Sequence, residues 1–212
     1  KGIVESPYPK NDIKTYRDKS FLYNYSYLLN GEEATTMVTA TGCPRSCAFC
    51  EHSRKASYRL PINIFEEEVK EIAEMGYKAI MIFDDIFAMN YTQLEKYSLV
   101  LKKYNMLYRC FVHADIMDEK MLKTLKDSGC VEIAFGAESA NQHILDIVDK
   151  RERVQDITAL IEKAINIGLK VKAFFILGLP GETLISIRDT KRMIKFYKTS
   201  FQLSFCFNRQ SE

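Results

Sequence analysis

The chain has 212 residues, room for one domain with an appendage. Hydrophobic residues make up 47% and charged residues 27%, a globular composition able to bury a core. The formal net charge of +2 gives no electrostatic argument for a nucleic acid or a membrane surface. No apolar run reaches the ~18 residues of a membrane span, and no signal peptide stands at the start. Six cysteines, three of them in one loop, do not form a secreted disulfide framework. They point to a reducing, cytoplasmic compartment and a metal centre. The first residue is Lys1, so a piece of a longer product is expected.

Residues 1–34 show no clear period and are broken by Pro7, Pro9 and Gly31. They are read as an N-terminal extension or a linker, with the core running over 35–212. Thr35–Ala40 is rich in β-formers and leads into a cysteine loop, so it is the first strand. Phe65, Val69, Ile72 and Ala73 recur at helical spacing, with Glu66, Glu67 and Glu68 placed in the first turn. Ala79–Phe83 is an apolar run of the kind buried on both faces of a parallel sheet. It ends at Asp84 and Asp85. Leu94, Tyr97, Leu101 and Tyr104 mark a second helix, and Leu107–Val112 a third strand ending at His113, Ala114 and Asp115.

Asp118 is the N-cap of a helix carrying Met121, Leu122 and Leu125, closed by Gly129. Val131–Phe135 is a fourth strand that runs into Gly136, Ala137, Glu138 and Ser139. A short helix with Ile144, Leu145 and Val148 follows, then a longer one from Val154 to Ile165. Val171–Leu177 is a fifth strand. Gly178–Thr183 is a turn opening a helix through Ile187 and Ile194, and Gln202–Phe207 is a sixth strand. Strands alternating with helices give right-handed crossovers and a parallel sheet. Six such units can form an open doubly wound sheet or a curved part-barrel, and periodicity does not separate the two. In either case ligands bind at the carboxyl ends of the strands. Those ends offer the cysteine loop, Asp84 and Asp85, His113 and Asp115, Glu138 and Ser139, and the Gly178–Glu182 turn.

The loop Gly42-Cys43-Pro44-Arg45-Ser46-Cys47-Ala48-Phe49-Cys50 carries the chemistry. Thiolates suit iron–sulfur clusters and zinc. A cubane takes four protein ligands when fully ligated, and this loop supplies three, leaving one iron for another ligand. A zinc knuckle is the rival reading, but such sites favour two C-x2-C pairs, and no second pair exists in the sequence. Cys110, Cys130 and Cys206 are read as small packed hydrophobes.

Cys43, Cys47 and Cys50, with aromatic Phe49 before the last, resemble the C-x3-C-x-aromatic-C loop of the radical S-adenosylmethionine superfamily. The resemblance implies a 4Fe-4S cluster on the three cysteines, whose open iron is chelated by S-adenosylmethionine. It also decides the architecture: an α/β fold that is a parallel (β/α)6 partial TIM barrel. Phe83-Asp84-Asp85-Ile86-Phe87 resembles the strand-two segment of the cobalamin-binding class, where acidic and backbone groups receive the ammonium of S-adenosylmethionine. Gly136-Ala137-Glu138-Ser139 resembles its ribose-binding run. Phe175–Thr183 resembles its Gly-Leu-Pro-Gly-Glu-Thr turn, which implies Ile176 and Gly178 against adenine. His113 stands where the class often has arginine; it either hydrogen-bonds S-adenosylmethionine or packs as an ordinary histidine. No Asp-x-His-x-x-Gly signature of a cobalamin domain occurs in these residues, so cobalamin is left to relatives. The function implied is reductive cleavage of S-adenosylmethionine to a 5′-deoxyadenosyl radical that takes hydrogen from an unidentified substrate. Methylation, cyclisation and rearrangement all stay open. The reductant implied is a flavodoxin or ferredoxin. The alternative is a non-catalytic iron–sulfur module for electron transfer or regulation.

Overall fold

The computed structural model describes residues 27–51, 58–197 and 200–205. Seven strands form one sheet in the order β1 (Tyr27–Leu29), β2 (Glu32–Met37), β5 (Ala79–Ile82), β6 (Leu107–Phe111), β7 (Cys130–Glu138), β8 (Lys170–Leu177) and β9 (Ser200–Phe205). From β2 onward every neighbouring pair is parallel. β1 is an antiparallel edge, joined to β2 through the positive-φ pair Asn30 and Gly31. The sheet curls into the half-barrel expected of six β/α units. It takes in Tyr27–Leu29 and Glu32–Ala34, which the periodicity leaves in the extension. Cys206 and the end of the expected sixth strand lie outside the described residues.

The connections are α1 (Ile62–Glu74), α2 (Tyr91–Lys103), α3 (Glu119–Asp127), α4 (Gln142–Ile147), α5 (Val154–Asn166) and α6 (Leu184–Tyr197). They pack on the convex face of the sheet. There Phe65, Ile72, Leu101, Leu122 and Ile161 meet Ile80, Tyr108, Ile133 and Phe175 in one buried core. Burying each such side chain contributes about 1.5–3 kcal/mol, so this layer dominates the stability of the fold. Among the described residues no helix is long and apolar enough to cross a membrane.

Two local readings differ from expectation. α1 starts at Ile62 behind Pro61, whose fixed φ suits a helix start. Glu66, Glu67 and Glu68 therefore lie past the first turn, which holds no acid, and Glu68 is buried. The first expected strand is interrupted: β2 ends at Met37, and Ala40–Thr41 forms β3, a separate two-residue pair with β4 (Tyr58–Arg59). The chain leaves the main sheet here because Thr39 and Ala40 are bonded to Asp84 instead of to a ladder neighbour.

The capping residue read from sequence performs as expected. Asp118 accepts a hydrogen bond from the Met121 N–H at 2.7 Å. Asp118→Ala is expected to cost about 1 kcal/mol, read as a lower urea midpoint with an unchanged slope.

Candidate active site

The cysteine loop starts where β3 ends. Its root is held by the two carboxylates that terminate β5. Asp84, 3% exposed, accepts from the Thr39 N–H at 2.5 Å and the Ala40 N–H at 2.9 Å, and from the Thr39 hydroxyl. Asp85 accepts from the Gly42 N–H at 2.6 Å. Arg59 of β4 donates to the carbonyls of Ile86 and Phe87 at 2.9 and 2.6 Å and lies 4.0 Å from Asp84. Burial pushes the Asp84 carboxyl up to about 6, against the pull of its donors at Thr39 and Ala40 and of Arg59.

The far end of the loop is held by α4 and its exit. The Ala48 N–H donates to the Val148 carbonyl at 2.9 Å, and Ser46 donates its hydroxyl hydrogen to Asp149. Arg45 pairs with Asp115 at 2.5 Å. Cys50 N–H closes a turn on the Cys47 carbonyl at 3.2 Å. With both ends tied, Cys43, Cys47 and Cys50 line one cavity with Phe49, Asp85 and His113. With its open mouth it encloses about 590 Å³. All three cysteines are free thiols.

Beneath the cysteines lies a buried set of charges. His113 Nδ1 is 2.8 Å from Glu152 Oε1, which also accepts from the Ala114 N–H at 2.9 Å. Lys150 Nζ lies 3.5 Å from Glu138 Oε1 and 3.4 Å from Glu152 Oε2. All four residues are at most 9% exposed. A buried charge persists only when paired, and here two acids share one lysine and one histidine. Burial opposes charge on every member. It wins at Glu138, whose carboxyl is held above its usual range despite Lys150. At Glu152 the hydrogen bond from His113 and the charge of Lys150 prevail, and its carboxyl falls to about 2. Against burial, the bond to Cys43 and then that to Glu152 hold His113 above its ordinary value, and the charges of Glu138 and Glu152 do the same for Lys150. Burial raises the Cys43 thiol, but its bond to His113, the Arg45 backbone N–H and the charge of His113 together outweigh that and the net direction is down. Burial likewise raises Cys47, and there it prevails over Lys150. A lowered thiol favours the thiolate that a metal requires.

The backbone is strained at the same place. Glu138 sits at φ 58°, and the β7–β8 register shifts between Gly136 and Glu138. Such irregularities re-aim a side chain beside a site. A Cβ on Gly136 would lie 2.0 Å from Glu138 Oε1 and 3.2 Å from Lys150 Nζ. Glycine here leaves the room in which the Glu138 carboxylate lies.

Of the residues named from sequence, the structure gathers Cys43, Cys47, Cys50, Phe49, Asp85, His113 and Glu138 around one cavity. Asp84 does not line it; its carboxylate is spent on the loop root. Ser139 is fully buried, and its hydroxyl accepts from the Asn141 N–H. Ile176 packs beside Phe49 on an apolar cluster of Ile144, Val148 and Leu179 at the cavity's flank. The Gly178 N–H donates to Glu182 at 2.5 Å. Lys150, Glu152 and Arg45 escaped the sequence reading. Lys150 and Glu152 stand in a run of five charged residues, Asp149–Arg153, which looks like a solvated turn. The positive φ at Asp149 and Arg151 turns alternate side chains inward, and no sequence pattern signals it.

The Radical SAM superfamily pattern matches residues 37–194. The chain belongs to that superfamily. It is 30% identical over 203 residues to an uncharacterized methyltransferase of Pyrococcus horikoshii, covering 93% of this chain and 42% of the relative. It is 24% identical over 178 residues to an anaerobic magnesium-protoporphyrin IX monomethyl ester cyclase of Rubrivivax gelatinosus, covering 81% of this chain and 32% of the relative. Among solved structures it resembles the methyltransferase TsrM of Kitasatospora setae, solved with cobalamin and a 4Fe-4S cluster. The TM-score is 0.73 at 14% identity, over 82% of this chain and 34% of that one. The cobalamin-dependent enzyme OxsB follows at TM-score 0.66 and 17% identity, over 75% of this chain and 26% of that one. The partial-barrel fold is therefore shared with these solved structures. The chain spans less than half the length of these relatives.

Two outcomes test the site. Lys150→Met leaves Glu138 and Glu152 buried without their shared cation and is expected to cost about 3–5 kcal/mol, read as a lower urea midpoint of the apoprotein. Asp84 is protonated more readily folded, at about 6, than its ordinary value of 3.8. It takes up a proton on folding across that window, so its contribution to stability falls as pH rises from about 4 to about 6. Wild type minus Asp84→Asn, measured by chemical denaturation, is expected to decline over that interval and stay flat above pH 7.

Proposed function

We propose that this chain is the catalytic core of a radical enzyme that uses a 4Fe-4S cluster and S-adenosylmethionine. The observation that carries the reading is the donor set of the cavity. Three free thiols, Cys43, Cys47 and Cys50, come from one tethered loop and line one cavity. That set fits a cubane with one corner left to a non-protein ligand. When bound, the cluster and S-adenosylmethionine supply a 5′-deoxyadenosyl radical that abstracts hydrogen from substrate. This chain's residues position and shield that chemistry.

Cys43, Cys47 and Cys50 hold the cluster. Asp85 at the rim receives an ammonium group, and Glu138 accepts hydrogen bonds from ribose hydroxyls. Phe49 and Ile176, with their apolar cluster, face the adenine. His113, bonded to Glu152, holds the Cys43 side of the loop. Asp84 acts indirectly, by fixing the loop root. The reductant is a flavodoxin or ferredoxin type of donor, and the free thiols suit a reducing, cytoplasmic compartment. Cobalamin is used by several structural neighbours; its binding residues are not among those assigned here. Methyl transfer is the reaction the relatives favour.

Anaerobic reconstitution with iron and sulfide, then dithionite and S-adenosylmethionine, tests the reading. Wild type is expected to form 5′-deoxyadenosine or methionine. Alanine at Cys43, Cys47 or Cys50 is expected to lower product to background and to lose most of the iron–sulfur absorbance. A fully loaded cluster that leaves S-adenosylmethionine intact would sink the proposal.

A further inference from the structure

The hollow of the half-barrel carries a second feature. Alternation along the strands turns Tyr108 and Cys110 of β6, and Ala173 and Phe175 of β8, into the helix-side core. Arg109 and Phe111, and Lys172 and Phe174, therefore face the concave side. The rings of Phe111 and Phe174 stack at 5.8 Å with 25° between planes, and Phe83 lies 6.2 Å from Phe111. They meet across β7 because the residues in register with them are the small Ala134 and Gly136. Interior faces of closed barrels are filled by side chains. This strip stays open: Phe83 is 41% exposed and the other two are half-buried. It starts at the cysteine cavity, whose wall includes Phe111.

Charge accompanies the rings. The Arg109 guanidinium lies 5.5 Å from the Phe83 ring centre and 5.6 Å from that of Phe111. Glu132 sits 3.5 Å from one terminal nitrogen. The Nε of Arg109 is buried without a hydrogen-bond partner among the described residues, and the residue is 8% exposed. Lys172 Nζ lies 5.5 Å from the Phe174 ring centre and has no acidic partner among the described residues. Among the described residues this face is an apolar strip on which Arg109 is paired with Glu132 and Lys172 is matched by no acid.

We infer that this strip is the substrate shelf of the radical enzyme proposed above, an inference resting on that reading, and that its substrate is a flat aromatic or conjugated acid. The ring system stacks on Phe83, Phe111 and Phe174 in the offset manner aromatic faces prefer. Its carboxylate pairs with Lys172, a charge-assisted contact. A neutral ligand leaves Lys172 unpaired, and a cation meets its repulsion. The shelf holds the ring plane beside the cavity where the radical forms.

The test uses 1-pyrenebutyrate, a fluorescent flat acid, with its neutral amide and with 1-pyrenemethylamine, titrated into the 212-residue chain and followed by anisotropy. The acid is expected to bind roughly tenfold tighter than the amide, the size of one charge-assisted hydrogen bond, and the amine weakest. Lys172→Gln is expected to erase the advantage of the acid while the amide binds as before. Phe174→Leu is expected to weaken all three, with circular dichroism confirming that the variant is folded. Equal binding of acid and amide by wild type, or an acid advantage that survives Lys172→Gln, overturns the inference. Wild type from the same preparation, reconstituted and given S-adenosylmethionine, is assayed for 5′-deoxyadenosine. Product without acid preference refutes the shelf alone, and acid preference without product refutes the radical reading instead.

Discussion

Two adjacent carboxylates at the end of β5 set the position of everything the protein does. Asp84 and Asp85 take the backbone N–H groups of Thr39, Ala40 and Gly42. They lift the chain off the sheet just before Cys43. A loop that must present three thiols to one point cannot be free at its root, since backbone order costs about 1–2 kcal/mol per residue. Charge-assisted bonds to a buried acid offset that cost, each roughly twice as strong as a neutral one. The consequence for Asp84 is a carboxyl raised to about 6 by burial. The acid is kept in the interior for geometry, at some expense in stability at neutral pH.

The second constraint is the buried charge set under the loop. Glu138, Lys150, Glu152 and His113 come from β7, from the turn after α4, and from the end of β6. Their pairing locks three separate connections against one another. Breaking such a set costs far more than forming it gains, so its value is positional. His113 reaches Cys43 on one side and Glu152 on the other, which links the cysteine loop to the turn after α4. The positive φ at Glu138, Asp149 and Arg151 is strain accepted for that linkage.

The half-barrel separates two tasks by face. Its convex side is sealed by the six helices of the described residues and supplies the cohesion. Its concave side bears rings and cations that no helix of the described residues covers, next to the cysteine cavity. A sheet committed on one face to a hydrophobic core can leave the other for ligands, since the side chains of each strand alternate. The family match at 37–194 spans this arrangement from β2 to α6.

The β/α alternation, the parallel sheet, the cysteine loop and the Asp118 cap were legible from residue order, because each rests on local spacing: period two, period 3.6, or three thiols within eight positions. Asp85, His113 and Glu138 were legible as strand-end groups, since a parallel sheet delivers its strand ends to one rim. Curvature was not legible in the pattern and came through the family resemblance, as strand twist leaves no periodic mark. The inward turn of Lys150 and Glu152, the withdrawal of Asp84 from the cavity and the meeting of Phe83, Phe111 and Phe174 were decided by the tertiary structure. Each depends on which distant segments are brought into contact, and a charged run or a lone phenylalanine has the same spelling exposed or buried.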